Sequence, residues 1–355
     1  MRRRPLLTAT PALMTPSLAH AQAKPLRYIP NASLSAIDPI WTTALVAGIH
    51  GYMVFDTLYG LDHTGQTHPQ MCSGHEVSAD GLNWTFTLRD GLMFHDKEPV
   101  LAKDCAQSIR RWGSRDSFGQ VLMRYVNEVV PVSDKKFEIR LKKRCPQLLF
   151  GFGARQSFIM PERVAMTPGT QQITDYTGSG PFRFLKDEWV SGARAAYAKF
   201  EGYVPRQEQP SFFAGGKVAH FDRVEWTIQP DPATAAAALQ KGETDWLDQP
   251  LIDLVPMLNK SPGVYTKVTD KGGWMIFMML NHLNPPFNNP MVRQAVFAAM
   301  DQRAFAESAA GDQANLMVVP TGLFSPAMGM ANTAGLERLS GPRNIEAAKK
   351  MVAES

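Results

Sequence analysis

The histidines are the side chains of this chain best suited to bind a metal ion or to move a proton. Neither an H-E-x-x-H motif nor a paired-cysteine spacing accompanies them. His63 and His68 lie in one loop and can meet, although histidines in surface loops are usually only solvated. We therefore expect neither a dedicated metal site nor a cofactor. The histidines after residue 23 are His50, His63, His68, His75, His95, His220 and His282.

Motifs of nucleophilic and dinucleotide-dependent enzymes are absent or incomplete. G-x-S-x-G does not occur, and the GSGPF stretch lacks the strand-to-helix context of a nucleophile elbow. GFG at Gly151 to Gly153 has no third glycine. The carboxylates of Asp245 and Asp248 cannot be told apart from ordinary surface charge. The sequence predicts no catalytic residue and no enzyme, with a secreted hydrolase as the less favoured alternative.

Residues 224–248 contain two chain reversals around one short helix. VEWTI alternates apolar and polar residues, as a half-buried strand does. Asp231 is placed to cap a helix, Pro232 occupies its first position, and Gly242 is placed to end it. A new apolar segment follows at once, which predicts a return strand leading to Asp248.

A second group of elements is predicted between residues 84 and 141. NWTFTL alternates as a strand, and Asp90-Gly91 forms a tight turn before a second strand that starts at Leu92. VLAKDCAQSIRRW predicts an amphipathic helix, and KKFEIRLKK predicts another alternating strand. YAKFEGYVPR, which begins at Tyr197, resembles a loop. The helix should bury Ala102, Cys105, Ile109 and Trp112.

The last third of the chain combines one apolar run with helices. The run from Trp274 to Leu280 is typical of a strand buried on both faces. Asn289 caps one long helix that continues to Ala309, with Pro290 at its first position. NIEAAKKMVAES begins a last helix. Alternating strands and helices indicate the α/β class with more than one sheet. The apolar stripe of the long helix is Val292, Ala295, Val296, Ala299 and Met300.

Residues 1–23 are interpreted as a cleaved export signal. They combine a basic start, a modestly apolar middle and two A-x-A sites, with a frayed tail as the alternative. Arg3-Arg4 also fits a twin-arginine signal, and no nearby cysteine offers a lipid anchor. These residues include three arginines and no acid, so their removal lowers the formal charge from +4 to +1. So little basic charge gives no reason to expect a nucleic-acid partner.

The three cysteines have no C-x-x-C spacing. In an oxidising compartment, Cys72 and Cys145 can form a disulfide, or all three cysteines can remain independent thiols. The sequence leaves both alternatives open. Cys105 lies in the predicted helix and is most simply a small buried apolar residue.

Four stretches, in this order, resemble one family: the large extracytoplasmic solute-binding proteins of ABC importers, of the peptide, oligopeptide and nickel type (family 5). The four stretches are SADGLNWTFTLRDGLMFHDKEPVLAKDCAQSIRRW, GSGPFRF, VEWTIQPDPATAAAALQKGETDWLD and LNHLNPPFNNPMVRQAVFAAMDQ. Two positions depart from the family pattern. Lys97 replaces a usual glycine, and Leu101 replaces a usual serine or threonine helix cap.

The resemblance implies an α/β fold, a two-lobed clamp of the type II periplasmic-binding-protein kind with an extra subdomain. Lobe I is expected over residues 24–270, with the subdomain inserted at about 51–174. Residues 271–355 are expected to begin lobe II, which is incomplete because family members continue well beyond this length.

The resemblance also implies a function in transmembrane transport. A monomeric periplasmic receptor captures a short peptide between its lobes, closes by a hinge, and docks on the ABC permease subunits of the inner membrane. A receptor for nickel or another small solute, and a binding module attached to a sensor, are the alternatives.

Five ligand-binding residues are expected from their positions in the family pattern. Asp248 and Gln249 follow the capped helix, where the family places polar ligand contacts; Asp248 can hold a ligand amine or be a solvated turn residue. Trp274 can cover the pocket or lie in the core. Tyr52 and Met53 lie on an early apolar segment that core packing also explains.

Overall fold

The structure is a computed structural model that describes residues 24–154, 156–311 and 313–355. The predicted export signal lies outside these residues. Two sheets of four and five strands organise the first two-thirds of the chain, and helices dominate the last third. No helix in the described ranges is both long and apolar enough to cross a membrane.

The five-stranded sheet contains the first strand of the chain at an inner position. Its order is β10-β11-β12-β1-β13, and β1 runs parallel to both β12 and β13. Helix α1 packs on this sheet and shares its apolar core, which includes Val54, Tyr197 and Trp226. The bounds are β1 Leu26–Ile29, α1 Leu45–Val54, β10 Phe182–Phe184, β11 Arg194–Lys199, β12 Arg223–Thr227 and β13 Trp246–Leu247.

Helix α6, Pro232–Gln240, connects β12 to β13 and has the predicted ends. The Asp231 carboxylate accepts a hydrogen bond from the Thr234 N–H at 2.7 Å, and Pro232 is the first helical residue. Gly242 has φ +68°, a conformation that suits glycine. The predicted strand–helix–strand unit is confirmed.

The four-stranded sheet, β5-β6-β8-β7, packs against α2 around a second apolar core. All four side chains that the amphipathic pattern assigned to this core are at most 1% exposed. Leu101 cannot cap α2, but the Asp104 carboxylate accepts a hydrogen bond from the Leu101 N–H at 2.7 Å. The bounds are β5 Cys72–Val77, β6 Asn83–Leu88, α2 Ala102–Arg115, α3 Ser117–Met123, β7 Val126–Pro131, β8 Lys136–Leu141 and α4 Leu148–Ala154.

Short elements join the two sheets. The short strands form two antiparallel pairs, β2 with β9 and β3 with β4. The domain boundaries expected at residues 51, 174 and 270 remain predictions. The bounds are β2 Asp56–Thr57, β3 Tyr59–Leu61, β4 Thr67–Pro69, β9 Phe158–Ile159, α5 Glu162–Ala165 and α7 Val255–Asn259.

The strand predicted to start at Leu92 does not form. Strand β6 pairs with β5 on one side and β8 on the other, so neither edge remains for a hairpin partner. Only a single bridge, from Met93 to Pro99, forms in the following segment. The prediction that a loop starts at Tyr197 was also wrong. Residues 197–199 end β11, because the Tyr197 side chain is fully buried in the core.

The strand predicted from Trp274 to Leu280 was also wrong. The segment has no regular secondary structure, and Trp274 and Met279 are 78% and 92% exposed. A strand needs a partner for its backbone groups, and no strand of the described ranges pairs with this segment.

The long helix predicted after Asn289 is divided into α8, Pro290–Ala299, and α9, Gln302–Ala310. Met300 is extended, and the Asp301 carboxylate caps α9 by accepting from the Ala304 N–H at 3.1 Å. Asn289 caps α8 as predicted, but of the expected stripe only Ala295 is fully buried. The helices α10, Glu337–Ser340, and α11, Ile345–Ala353, follow.

All three cysteines are buried free thiols, so the disulfide alternative is not realised. Cys105 is fully buried in α2, as predicted. Burial raises the pKa of each thiol. They are therefore poor nucleophiles.

Candidate functional site

The candidate site lies where two neighbouring parallel strands end. Tyr28 of β1 is aligned with Trp246 of β13, and Ile29 with Leu247. The residues that follow the two strands therefore meet at one edge of the sheet. In open α/β sheets, ligands bind outside the carboxyl ends of the strands.

The half-buried carboxyl group of Asp248 follows β13. Its backbone N–H donates to the Ile29 carbonyl at 2.9 Å, which fixes the residue beside the end of β1. Burial raises the pKa of the carboxyl group, and hydrogen bonds from Tyr28 and from the backbone of Asn31 act in the opposite direction. The Oδ2 atom is buried and has no hydrogen-bond donor among the described residues.

Asn31 and Gln249 complete this polar edge. The Asn31 Nδ2 donates to Gln249 Oε1 at 3.4 Å. Asn31 Oδ1 is buried without a donor in the part of the chain that the structure describes. Gln249 is exposed and has φ +50°, an uncommon backbone conformation for a residue other than glycine. Two acceptor oxygens near the strand ends, Asp248 Oδ2 and Asn31 Oδ1, are thus left unpaired within the described residues.

Aromatic rings lie next to these acceptors. The ring of Tyr28 packs at 5.2 Å from Trp226 and at 5.8 Å from Trp246, in an edge-on contact with the latter. Burial and the nearby Asp248 raise the pKa of the Tyr28 phenol, so it stays a neutral donor. Trp246 is 52% exposed although it lies in a strand. The site therefore presents an aromatic surface to solvent.

A cavity of about 420 Å³ is lined by residues that start at Leu34, three residues after Asn31 in the chain. Three residues of chain span at most about 11 Å, so the cavity is a near neighbour of the polar edge. The Arg115 guanidinium covers the Trp41 ring at 4.3 Å and donates to the Trp41 carbonyl at 3.1 Å. The cavity is lined by Leu34, Ser35, Ala36, Trp41, Thr42, Ala44, Val46, Ala47 and Gln172.

Comparison with known proteins identifies the family. The family model described as bacterial extracellular solute-binding proteins, family 5 Middle, matches residues 66–355. The chain belongs to this family. A probable peptide ABC transporter periplasmic-binding protein of Sinorhizobium fredii is 41% identical to this family 5 chain over 313 residues. That alignment covers 86% of the chain and 59% of the relative, so the chain spans about three-fifths of the relative's length.

Solved structures show the same fold. A periplasmic binding protein from A. tumefaciens R10 in complex with agropinic acid superposes with a TM-score of 0.74 at 21% identity, over 93% of this chain and 64% of that one. The ABC transporter-associated periplasmic binding protein DppA from Helicobacter pylori, in complex with the peptide STSA, also gives a TM-score of 0.74, at 22% identity over 93% of this chain and 66% of that one. The predicted α/β fold of the periplasmic-binding-protein class is confirmed.

The other expected ligand residues of this family 5 chain lie elsewhere. The Tyr52 ring stacks on Phe213 at 4.2 Å and meets Phe158 edge-on at 4.9 Å, and half-buried Met53 packs against the core of the five-stranded sheet. Trp274 lies in the exposed segment and does not line the cavity. Asp248 and Gln249 are consecutive residues at the end of β13, whereas Tyr52 and Met53 lie on α1 and Trp274 lies in the segment between α7 and α8.

Sequence reasoning missed Tyr28, Asn31 and Trp246. Asn31 carries a usable signal, since it is a polar residue directly after a predicted strand. The alignment of β1 with β13 depends on sheet order, which local patterns do not contain.

The two loop histidines of this family 5 chain do not meet at a common site. His63 Nδ1 lies 2.7 Å from Ser211 Oγ, and His68 Nε2 lies 2.8 Å from Asp62 Oδ2. In the described ranges, no three histidine, cysteine or acidic side chains are grouped as a metal site would require.

Proposed function

We propose that this chain is the solute-capturing part of an ABC importer receptor and that its ligand is a short peptide. The observation that carries the proposal is the 41% identity to the probable peptide transporter protein over 86% of the chain. The unpaired acceptors at the strand ends add chemical support, because a peptide supplies N–H donors.

The receptor works by reversible binding, without covalent chemistry. The open form admits a peptide beside Asp248 and Gln249, and closure of a second lobe buries it. The closed form then docks on permease subunits in the inner membrane. Export by residues 1–23, a periplasmic location and a monomeric state belong to the same proposal.

Ligand-dependent stability tests the peptide class. A ligand at 100 times its Kd stabilises the folded state by about 2.7 kcal/mol. We expect mixed di- and tripeptides to raise the Tm of the whole protein, expressed from its own gene, by several degrees. The same concentration of free amino acids is the control. A nickel–histidine complex that raises Tm while peptides do not would replace this proposal with the metal-chelate alternative.

A further inference from the structure

One edge of the four-stranded sheet carries a concentration of positive charge. Strand β8 ends at Leu141, three basic residues follow it directly, and a fourth lies just before β7. All four side chains are exposed. Without the three arginines of residues 1–23 the formal charge of the chain falls from +4 to +1, so this edge is a local feature of the surface. We call it the basic edge: Arg124, Lys142, Lys143 and Arg144.

The backbone brings these residues close together. The pairing of β7 with β8 continues past the ends of both strands, because the Lys142 N–H donates to the Tyr125 carbonyl at 2.7 Å. Residues that face each other in such a pair have Cβ atoms about 5 Å apart. Arg124 directly precedes Tyr125 and therefore lies near both lysines. The Lys143 ammonium lies 4.3 Å from the centre of the Tyr125 ring.

Carboxylates of the protein do not neutralise the basic edge. None of its four side chains forms a salt bridge with a residue that the structure describes. The nearby acids of the sheet, Glu128 and Glu138, both pair with Arg140, at 2.7 and 2.9 Å. Asp80 lies close to Arg144, but its carboxylate accepts hydrogen bonds from its own turn. The positive charge therefore remains available to an external anion.

Arg144 adds a place for one anionic group. Its Nε donates to the Asp80 carbonyl at 2.7 Å, whereas its two terminal nitrogens donate to no residue within the described ranges. Arg144 and Trp84 line a pocket of about 290 Å³. The paired N–H groups of a guanidinium match two oxygens of a phosphate group. The other lining residues are Ser78, Ala79, Gly81, Cys145 and Pro146.

The neighbouring apolar side chains favour a lipid surface over an acidic protein. Val121, on α3 just before Arg124, is 46% exposed, and the half-buried Tyr125 ring lies under the Lys143 ammonium. Aromatic rings and long basic side chains are typical of the boundary between lipid headgroups and acyl chains. A lysine is a flexible point charge, which suits a surface of many mobile phosphates better than one fixed carboxylate.

We propose that the basic edge binds the surface of a membrane that contains anionic phospholipid, with one headgroup phosphate at Arg144. Arg124, Lys142 and Lys143 supply attraction to the surrounding headgroups. Each basic residue near an anionic membrane surface strengthens binding about fivefold. This binding is peripheral and reversible. It is separate from ligand capture and concentrates the receptor at a membrane surface whatever solute it carries.

Vesicle co-sedimentation of the whole protein, expressed from its own gene, measures this binding. One set of vesicles is pure phosphatidylcholine, and the other contains about one-third phosphatidylglycerol. We expect binding to the anionic vesicles and none to the neutral ones. Binding should disappear as salt is raised from about 0.1 M to about 1 M, because the Debye length shrinks from about 10 Å to about 3 Å.

Two variants and one control locate the surface. Lys142→Gln/Lys143→Gln should weaken binding to anionic vesicles about 25-fold. The control, Lys135→Gln/Lys136→Gln, removes two exposed lysines at the start of β8 and has the same net charge, and it should change binding less than about threefold. Arg144→Lys keeps the charge but loses the paired N–H groups, so it should also weaken binding. Circular dichroism confirms that each variant is folded.

Three outcomes would overturn the inference. The first is equal binding to both kinds of vesicle, or binding to neither. The second is an equal loss in the two double variants, because the effect would then follow net charge and not this edge. The third is retention on immobilised polyglutamate without binding to anionic vesicles, which would assign the basic edge to an acidic protein. Each of these leaves the peptide function untouched, because ligand-dependent Tm tests it separately.

Discussion

His95 and Gly178 form a two-way contact that joins two segments far apart in the chain. The Gly178 N–H donates to His95 Nδ1 at 3.2 Å, and the His95 N–H donates to the Gly178 carbonyl at 2.9 Å. The other ring nitrogen, Nε2, lies 3.0 Å from the Gly180 carbonyl. Only the neutral imidazole with its proton on Nε2 satisfies both ring contacts. The FHD and GSGPF stretches are therefore held together by one tautomer.

This contact predicts a specific loss of stability in acid. Burial lowers the pKa of His95 to about 4 in the folded state, whereas it is about 6.5 in the unfolded chain. Between these values the unfolded state binds more protons, so the stabilisation is complete above pH 6.5 and declines as the pH falls to 4. The loss amounts to about 3 kcal/mol.

Urea unfolding between pH 7.5 and 4 measures this effect. His95→Asn keeps an acceptor for the Gly178 N–H but cannot be protonated. Its stability should fall less steeply than that of wild type over this window. Parallel curves for the two proteins would show that His95 does not contribute. His50, whose pKa burial lowers to about 3, is unchanged in both.

Gly178 also lies close to the end of α1. Adding a single methyl group at this position should therefore disrupt its contact with His95. A Cβ atom at Gly178 would lie 1.8 Å from the Val54 carbonyl oxygen, at the end of α1. Backbone has to move to accept it, so Gly178→Ala should destabilise the protein by about 3 kcal/mol.

Gly74 is the matched control in β5. A Cβ atom there meets nothing within 4 Å, and its φ is not in the left-handed range. Gly74→Ala should stay within about 1 kcal/mol of wild type, on the stabilising side. Thermal unfolding compares the two variants, and equal Tm values would contradict the close approach of Gly178 to α1.

A buried ion pair connects α2 to the loop after β1. Arg111 donates to Asp38 at 2.6 and 3.2 Å, and both side chains are at most 1% exposed. Arg111→Met leaves the carboxylate buried without its partner and should cost about 3–5 kcal/mol. Lys103→Met removes an exposed charge from the same helix and should cost less than about 0.5 kcal/mol. Denaturant midpoints that shift equally in both variants would rule out this role for the pair.

Lys97 predicts a stabilising substitution. The residue is exposed and has φ +74°, a backbone conformation that suits glycine. Lys97→Gly removes a strained conformation at some cost in chain entropy, for a net gain of about 0.5–1 kcal/mol. Glu98→Gly, at the next exposed residue, has the same entropy cost but relieves no backbone strain, so it should lower Tm. A Tm for Lys97→Gly below that of the wild-type protein would contradict the prediction that Lys97 is strained.

Local sequence signals predicted the elements whose causes are local. The Asp231 cap, the Asn289 cap and the apolar face of α2 each depend on residues within a few positions. The predictions that failed concern segments whose structure depends on a strand that is distant in the sequence. Leu92 starts no strand because β6 already has two neighbours, and the Trp274 run has no strand beside it in the described ranges.

The candidate site was half predictable for the same reason. Asp248 and Gln249 could be located from the family pattern around α6. Their contacts with Tyr28 and Asn31 depend on β13 pairing with β1, more than 200 residues earlier, which no local periodicity reveals.

Native mass spectrometry of the whole protein, isolated from the periplasm of the cells that make it, tests the central claim most directly. We predict a releasable small mass whose fragmentation gives amino acids joined by peptide bonds. A bound solute without peptide bonds, or a protein that carries no solute and takes up none from a peptide mixture, would contradict it.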